Sequence, residues 1–65
     1  MAEDELRKLV HDLRTPLTLI GGFADLLVRR GAELDDAQRV ELAERIAMAA
    51  QEMRDRMDRA DATGE

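Results

Sequence analysis

Hydrophobic residues recur along this chain at alternating spacings of four and three, the pattern of an amphipathic helix packed in a coiled-coil-like bundle. The first series consists of Leu6, Val10, Leu13, Leu17, Ile20, Ala24 and Leu27. Leu9, Phe23 and Leu26 widen its stripe. The second series consists of Ala43, Ile46, Ala50, Met53, Met57 and Ala60, with Leu42 and Ala49 alongside. Two amphipathic helices are therefore predicted, and the methionines are interpreted as flexible core filling.

The segment between the two series carries the signals of one helix end and one helix start. Gly31 is predicted to stop the first helix, after Arg29 and Arg30 in a last turn where cations suit the helix dipole. Asp35 is predicted to cap the second helix, with Gln38 three residues later in a capping-box arrangement. These signals place helix one at about residues 3 to 30, the loop at 31 to 34 and helix two at about 35 to 60. Residues 61–65 are expected to form a disordered tail.

The short connection makes the two helices antiparallel, so the predicted fold is an all-α two-helix hairpin. The chain has 65 residues, no cysteine and one histidine, so neither a disulfide nor a structural metal site is expected to support its small core. Association with another helical chain is the remaining way to stabilise the small core. We therefore expect two copies to close a homodimeric four-helix bundle, with residues 1–60 as its single domain.

Charge and hydropathy argue against two classes of partner. The net charge of -5 is unsuited to nucleic acid, whose phosphate backbone requires a basic surface. A signal peptide and an apolar stretch of about 18 residues are both lacking, so we expect a cytoplasmic segment without membrane contact, even where a parent protein is membrane-anchored. The C-terminal run of alternating charges, from Arg54 to Arg59, is interpreted as a solvated face.

Candidate chemistry lies around the one histidine. A neutral imidazole has a ring nitrogen free to attack an electrophile such as the terminal phosphate of ATP, and His11 is predicted to reach solvent beside the apolar stripe. The carboxylate of Asp12 can hydrogen-bond the other ring nitrogen, although neighbours on an ideal helix point in different directions. Thr15 lies one turn after His11, where its hydroxyl can orient a water molecule. Pro16 removes a backbone hydrogen bond within that turn and is predicted to act as a hinge.

Each of these residues also has an ordinary explanation. A single histidine on a charged helix is commonly a solvated surface residue, and Asp12 and Arg14 alone are ordinary charges on a helix face. Thr15 before Pro16 is also compatible with a helix end. Only the combination is specific.

The combination resembles a known family. The run that carries the resemblance is His11-Asp12-Leu13-Arg14-Thr15-Pro16-Leu17-Thr18, continued by Ile20, Gly22-Phe23-Ala24 and Leu26-Leu27. It is similar to the phosphoacceptor segment of bacterial sensor histidine kinases, and a looser similarity to their dimerisation and histidine phosphotransfer domain extends from Glu3 to about Ala60.

The resemblance implies a phosphate relay. His11 would accept the terminal phosphate of ATP from a separate ATP-binding catalytic domain and pass it to an aspartate in the receiver domain of a response regulator. Asp12 would assist as a base, and Thr15 would orient water when phosphate is removed from the regulator. The positions implied for partner recognition are Arg14, Thr18, Gly22 and Phe23. For Phe23, helix packing is the alternative explanation.

The chain also departs from the full kinase pattern. It has no glycine-rich nucleotide-binding segment, so no cofactor is expected to bind to it. ATP is expected to bind only to the separate catalytic domain. Three alternatives remain open: a structural dimerisation module with an idle histidine, a free-standing phosphotransfer protein, and a coiled-coil fragment of unrelated origin. Substitution of His11 distinguishes a phosphotransfer site from a purely structural module.

Overall fold

The computed structural model describes residues 2–63, and the side chains of residues 2–61. Helix α1 spans Glu3–Arg30, a short 3₁₀ turn spans Gly31–Glu33, and helix α2 spans Asp36–Thr63. Asp12 lies opposite Arg56 near the chain termini and Phe23 lies opposite Arg45 near the loop, so the two helices run antiparallel. The predicted all-α hairpin is confirmed.

Helix α1 has the charge distribution that favours a long helix. Acidic residues occupy its first turn and Arg29 and Arg30 its last, which complements the helix dipole at both ends. The helix passes through Pro16, which is almost completely inaccessible to solvent and packs on the side of α1 that faces α2. The proline leaves one backbone hydrogen bond of α1 unmade, and the role of Pro16 as a hinge stays a prediction.

The loop is held by side chains rather than by glycine. Helix α1 ends at Arg30 with Gly31 as its C-cap residue, as predicted, but Gly31 adopts right-handed backbone angles, φ -53° and ψ -38°, and not the left-handed conformation common at such glycines. The chain instead tightens into the 3₁₀ turn, and the guanidinium of Arg39 donates to the carbonyl oxygens of Gly31 at 3.0 Å and Leu34 at 2.8 Å. One side chain of α2 therefore satisfies two carbonyl groups of the connection.

The start of α2 has the predicted capping box. The backbone N–H of Gln38 donates to Asp35 Oδ1 at 2.8 Å, and the backbone N–H of Asp35 donates to Gln38 Oε1 at 3.0 Å. Two otherwise unpaired donors at the helix start are thus satisfied locally.

The contact between the helices uses only part of the predicted stripes. The inner row of α1 consists of Leu9, Leu13, Pro16, Ile20, Phe23 and Leu27, with half-buried Asp12 and Ala24 beside it. The inner row of α2 consists of Leu42, Ile46, Ala49, Met53, Arg56 and Ala60, with half-buried Ala50 beside it. Both rows alternate spacings of four and three, as helix packing requires.

Five residues of the predicted seams stay exposed within one hairpin. Leu6 is 52% exposed, Val10 49%, Leu17 57% and Met57 45%, and the fifth residue is Ala43. The predicted series therefore coincide only in part with the contact between α1 and α2. A single neighbouring helix covers only one sector of a helix surface, so a wide apolar stripe is left partly uncovered.

The end of α2 differs from the prediction. The helix was expected to end near Ala60 with a disordered tail from Asp61, but residues 61–63 continue α2, and that part of the prediction is wrong. Residues 64 and 65 lie outside the described residues. Side-chain pairs one turn apart, such as Arg56 with Glu52 and Gln51 with Asp55, support the helix through this charged region.

The hairpin is a thin rod with principal extents of 47 × 16 × 10 Å. Its accessible surface is 5234 Å². A compact monomer of 7.3 kDa would expose only about 4,200 Å². Over residues 2–63, neither helix contains a stretch long and apolar enough to cross a lipid bilayer. One layer of two helices leaves apolar surface that a further layer would cover.

Candidate functional site

His11 lies on the exposed surface of α1, as expected from the sequence. Helical geometry places it about 120° around the α1 axis from Leu17, away from the uncovered apolar residues. It also lies outside the row of α1 residues that contacts α2. The imidazole is therefore accessible to a second molecule without any rearrangement of the hairpin.

Asp12 is turned toward α2 and not toward the imidazole. Its carboxylate pairs with Arg56 across the helix contact, with 3.6 Å between Asp12 Oδ2 and Arg56 Nη1. The hydrogen bonds of residues 2–61 include none between His11 and Asp12. The expected contact between carboxylate and imidazole is therefore not formed in this structure, because adjacent helix positions point about 100° apart.

Arg56 is the residue near the site that sequence reasoning missed. It was placed in a solvated charged face, but its side chain is 35% exposed and lies in the contact between the helices. That interpretation is wrong for Arg56. Its spacing from Met53 and Ala60 continues the inner row of α2, and this spacing is the signal that identifies it.

An exposed strip continues along α1 beyond His11. It contains Thr15, Thr18 and Gly22, all of which are exposed. The Thr18 hydroxyl donates to the Arg14 carbonyl oxygen at 2.8 Å, so the helix itself holds this side chain. Arg14 is exposed as well, on the part of α1 turned away from α2. The structure thus places these recognition candidates and Thr15 on the accessible side of α1.

A groove between the helices begins about two turns beyond His11. Its apolar wall includes Leu19 and Phe23 from α1, and Met48 and Ala49 from α2. Its charged lining consists of Glu41, Glu44, Arg45 and Glu52. We call this surface the apolar groove. Three carboxylates and one guanidinium make its edge predominantly acidic.

Phe23 packs between the two helices and also forms part of the wall of the apolar groove. Its ring is half-buried between the helices, and the Arg45 guanidinium lies 6.0 Å from the ring centroid. Sequence reasoning identified Phe23 but missed Arg45 and Met48. The interpretation of the methionines as core filling agrees with half-buried Met53 and is wrong for Met48 within the hairpin, since Met48 is 71% exposed.

These observations define a class of protein: a helical-hairpin domain that displays an accessible histidine beside a groove suited to a partner. A comparison with protein families identifies the particular family. Residues 1–61 match the model of the His Kinase A (phospho-acceptor) domain, and the chain belongs to that family. No curated protein and no solved structure matches the chain. The domain thus has the phosphoacceptor and dimerisation role of a histidine kinase.

Proposed function

We propose that His11 is the residue that carries the phosphate. The observation that supports this most strongly is that the one histidine in the chain is exposed on α1 of a phospho-acceptor domain. A lone pair on a ring nitrogen forms the N–P bond while the bond between the γ-phosphorus and its bridging oxygen breaks and the electron pair leaves with ADP. The ring is then positively charged and loses the proton on its other nitrogen to a base.

Asp12 is the proposed base, and a separate catalytic domain is the proposed source of ATP. The carboxylate directly follows His11 and can accept the ring proton once a side-chain rotation brings it to the imidazole. In this proposal the hairpin binds no nucleotide itself, and the exposed imidazole enters the catalytic domain's site. Proximity in the docked complex supplies the near-attack geometry that the isolated hairpin lacks.

The receiver domain of a response regulator is the proposed acceptor of the phosphate. A carboxylate oxygen of its aspartate forms an O–P bond while the N–P bond breaks and the ring nitrogen regains its electron pair. Receiver docking is supported by the exposed strip of Thr18 and Gly22 and by the apolar groove, whose acidic edge suits a basic surface. Phe23 is part of the wall of the groove, and Arg14 is exposed on the side of α1 turned away from α2. Thr15, one turn after His11, is proposed to orient water for removal of phosphate from the regulator.

A homodimeric four-helix bundle is the proposed assembly. Leu6, Val10, Leu17 and Met57 form what we call the apolar flank, on the opposite side of the hairpin from the apolar groove. Contact between two such flanks covers the surface that a thin, single-layer hairpin leaves exposed. His11 remains accessible in this arrangement because it lies about 120° around α1 from Leu17.

Treatment with the small phosphodonor phosphoramidate tests the proposal directly. Intact and peptide mass spectrometry at neutral pH should detect one acid-labile phosphate, on His11, in the unchanged chain. The matched variant His11→Gln should gain none, while its helical circular dichroism and its dimer remain unchanged. A folded chain that stays unmodified under the same conditions would instead support a structural dimerisation module with an idle histidine.

A further inference from the structure

We infer that Arg56 is a positioning residue that controls whether Asp12 assists His11. This inference rests on the proposed role of His11 as phosphoacceptor. Arg56 lies on α2, in the inner row that faces α1, and its guanidinium holds the carboxylate expected to act as the base. In the state described here, Asp12 is engaged across the helix contact and withheld from the imidazole.

The geometry around Arg56 favours competition over a permanent bridge. Its Nη1 lies 3.6 Å from Asp12 Oδ2, whereas its Nη2 lies 3.1 Å from Glu52 Oε1. Its Nε atom is buried without a hydrogen-bond partner, so the guanidinium is not fully satisfied in this position. Glu52 is the better-placed partner, and Asp12 is held by the longer contact.

The two ion pairs of Arg56 respond differently to helix movement. The pair with Glu52 lies within α2 and moves with that helix as a unit. The pair with Asp12 joins α2 to α1, so rotation or sliding of one helix against the other changes its length. Arg39 fastens the loop end of the hairpin, while Asp12 and Arg56 lie toward the end without a chain connection.

The consequence is a coupling between helix packing and chemistry. A change in packing that separates Arg56 from Asp12 frees the carboxylate, which then rotates to the imidazole and accepts the ring proton as the N–P bond forms. A packing that keeps Arg56 on Asp12 leaves His11 without this base. The contact is weak enough to break, because both side chains are about one-third exposed, at 35% and 30%.

The experiment compares rates of His11 phosphorylation by phosphoramidate in the full chain, four single variants and one double variant. In this reaction the N–P bond to His11 forms while the donor's P–N bond breaks and its nitrogen leaves as ammonia. Arg56→Gln should be phosphorylated about two- to fivefold faster than the unchanged chain, the range expected for release of a partly exposed ion pair. Asp12→Asn should show no acceleration, and Arg56→Gln added to Asp12→Asn should have no further effect.

Two other variants separate this effect from charge and folding. Arg54→Gln makes the same charge change at an exposed position two residues away and should leave the rate unchanged. Glu52→Gln keeps Arg56 but removes its competing partner, so Arg56 should hold Asp12 more firmly and the rate should fall. Because Glu52→Gln retains Arg56, it provides a test even where Arg56→Gln unfolds the hairpin, as circular dichroism would reveal.

A nuclear magnetic resonance measurement provides a readout that does not depend on phosphate transfer. The ring ¹⁵N shifts of His11 report which nitrogen carries the proton, and Arg56→Gln should shift the tautomer ratio relative to the unchanged chain. Asp12→Asn should abolish that shift. Equal rates and equal tautomer ratios in Arg56→Gln and the unchanged chain would overturn the role of Arg56, whereas phosphate on no variant, with the tautomer shift intact, would overturn only the phosphoacceptor role.

Discussion

The two long sides of the hairpin differ in what they expose. The apolar flank presents Leu6, Val10, Leu17 and Met57, between 45% and 57% exposed. The opposite side carries the apolar groove with its acidic edge and the pair of Asp12 with Arg56. His11 lies next to this second side, on the outer surface of α1.

The difference suits the two sides of the hairpin to two kinds of contact. Exposed apolar side chains suit a permanent interface, since apolar burial favours association strongly and without direction. A small groove edged by charge suits a transient partner, because charged rims govern encounter and specificity more than affinity. The proposed function therefore places the dimer interface on the apolar flank and the docking of the receiver on the groove side.

The largest effect is expected from placing a charge on the apolar flank, which tests whether this surface is the dimer interface. Leu17→Asp should weaken dimerisation by about 2 to 3 kcal/mol, since each of two copies loses the burial of the 57% of Leu17 that the hairpin leaves exposed, worth about 1 to 1.7 kcal/mol. Sedimentation equilibrium measures this as a rise in the dimer dissociation constant. Leu19→Asp is the matched control, because Leu19 is 46% exposed against 57% for Leu17 but lies on the groove side. Equal dimer constants for Leu17→Asp and the unchanged chain would refute the assignment.

The second prediction concerns Leu19→Asp, the variant used as the control above. Leu19→Asp should raise the dissociation constant for a receiver domain about 10- to 100-fold, because it places a charge in the wall of the apolar groove. The measurement is titration with the receiver that accepts phosphate fastest from a purified panel. In this experiment Leu17→Asp is the control, because Leu17 lies on the apolar flank and not in the groove. A receiver that binds Leu19→Asp as tightly as the unchanged chain must dock elsewhere.

A smaller effect sharpens the role of the exposed strip. Gly21 and Gly22 lie inside α1, and a Cβ built on either meets no atom within 4 Å. Alanine at either position should therefore stabilise the hairpin by about 0.5 to 1 kcal/mol, seen as a higher melting temperature. Only Gly22→Ala should also slow phosphate transfer to the receiver, because Gly22 shares the strip with Thr18. Equal transfer rates for both variants would show that no partner approaches Gly22 closely.

Much of the hairpin was predictable because its signals are local. The four-and-three spacing of apolar residues predicted both helices. Asp35 and Gln38, which lie three residues apart, predicted the start of α2. The loop was less predictable. Gly31 correctly predicted where α1 ends, but nothing near it in sequence indicated that Arg39, eight residues later, holds the connection.

In the candidate site too, the features set by local sequence were predictable and those set by helix packing were not. The exposure of His11 followed from its position relative to the apolar stripe, and the exposure of Thr18 and Gly22 followed from their spacing. The position of Arg56 did not follow from its charged surroundings. An arginine between acidic residues is ordinarily solvated, and only the presence of α1 across the contact brings Arg56 to Asp12.

The sequence by itself determined that this protein is a pair of amphipathic helices with a capped second helix and an accessible histidine. Those features depend on the helical repeat and on hydrogen bonds between residues a few positions apart. The tertiary structure alone decided which sector of each stripe is covered, which apolar residues form a free flank, and that Arg56 holds Asp12. These depend on how far each helix is rotated about its axis when the two pack, and an apolar stripe wider than one contact leaves that rotation open.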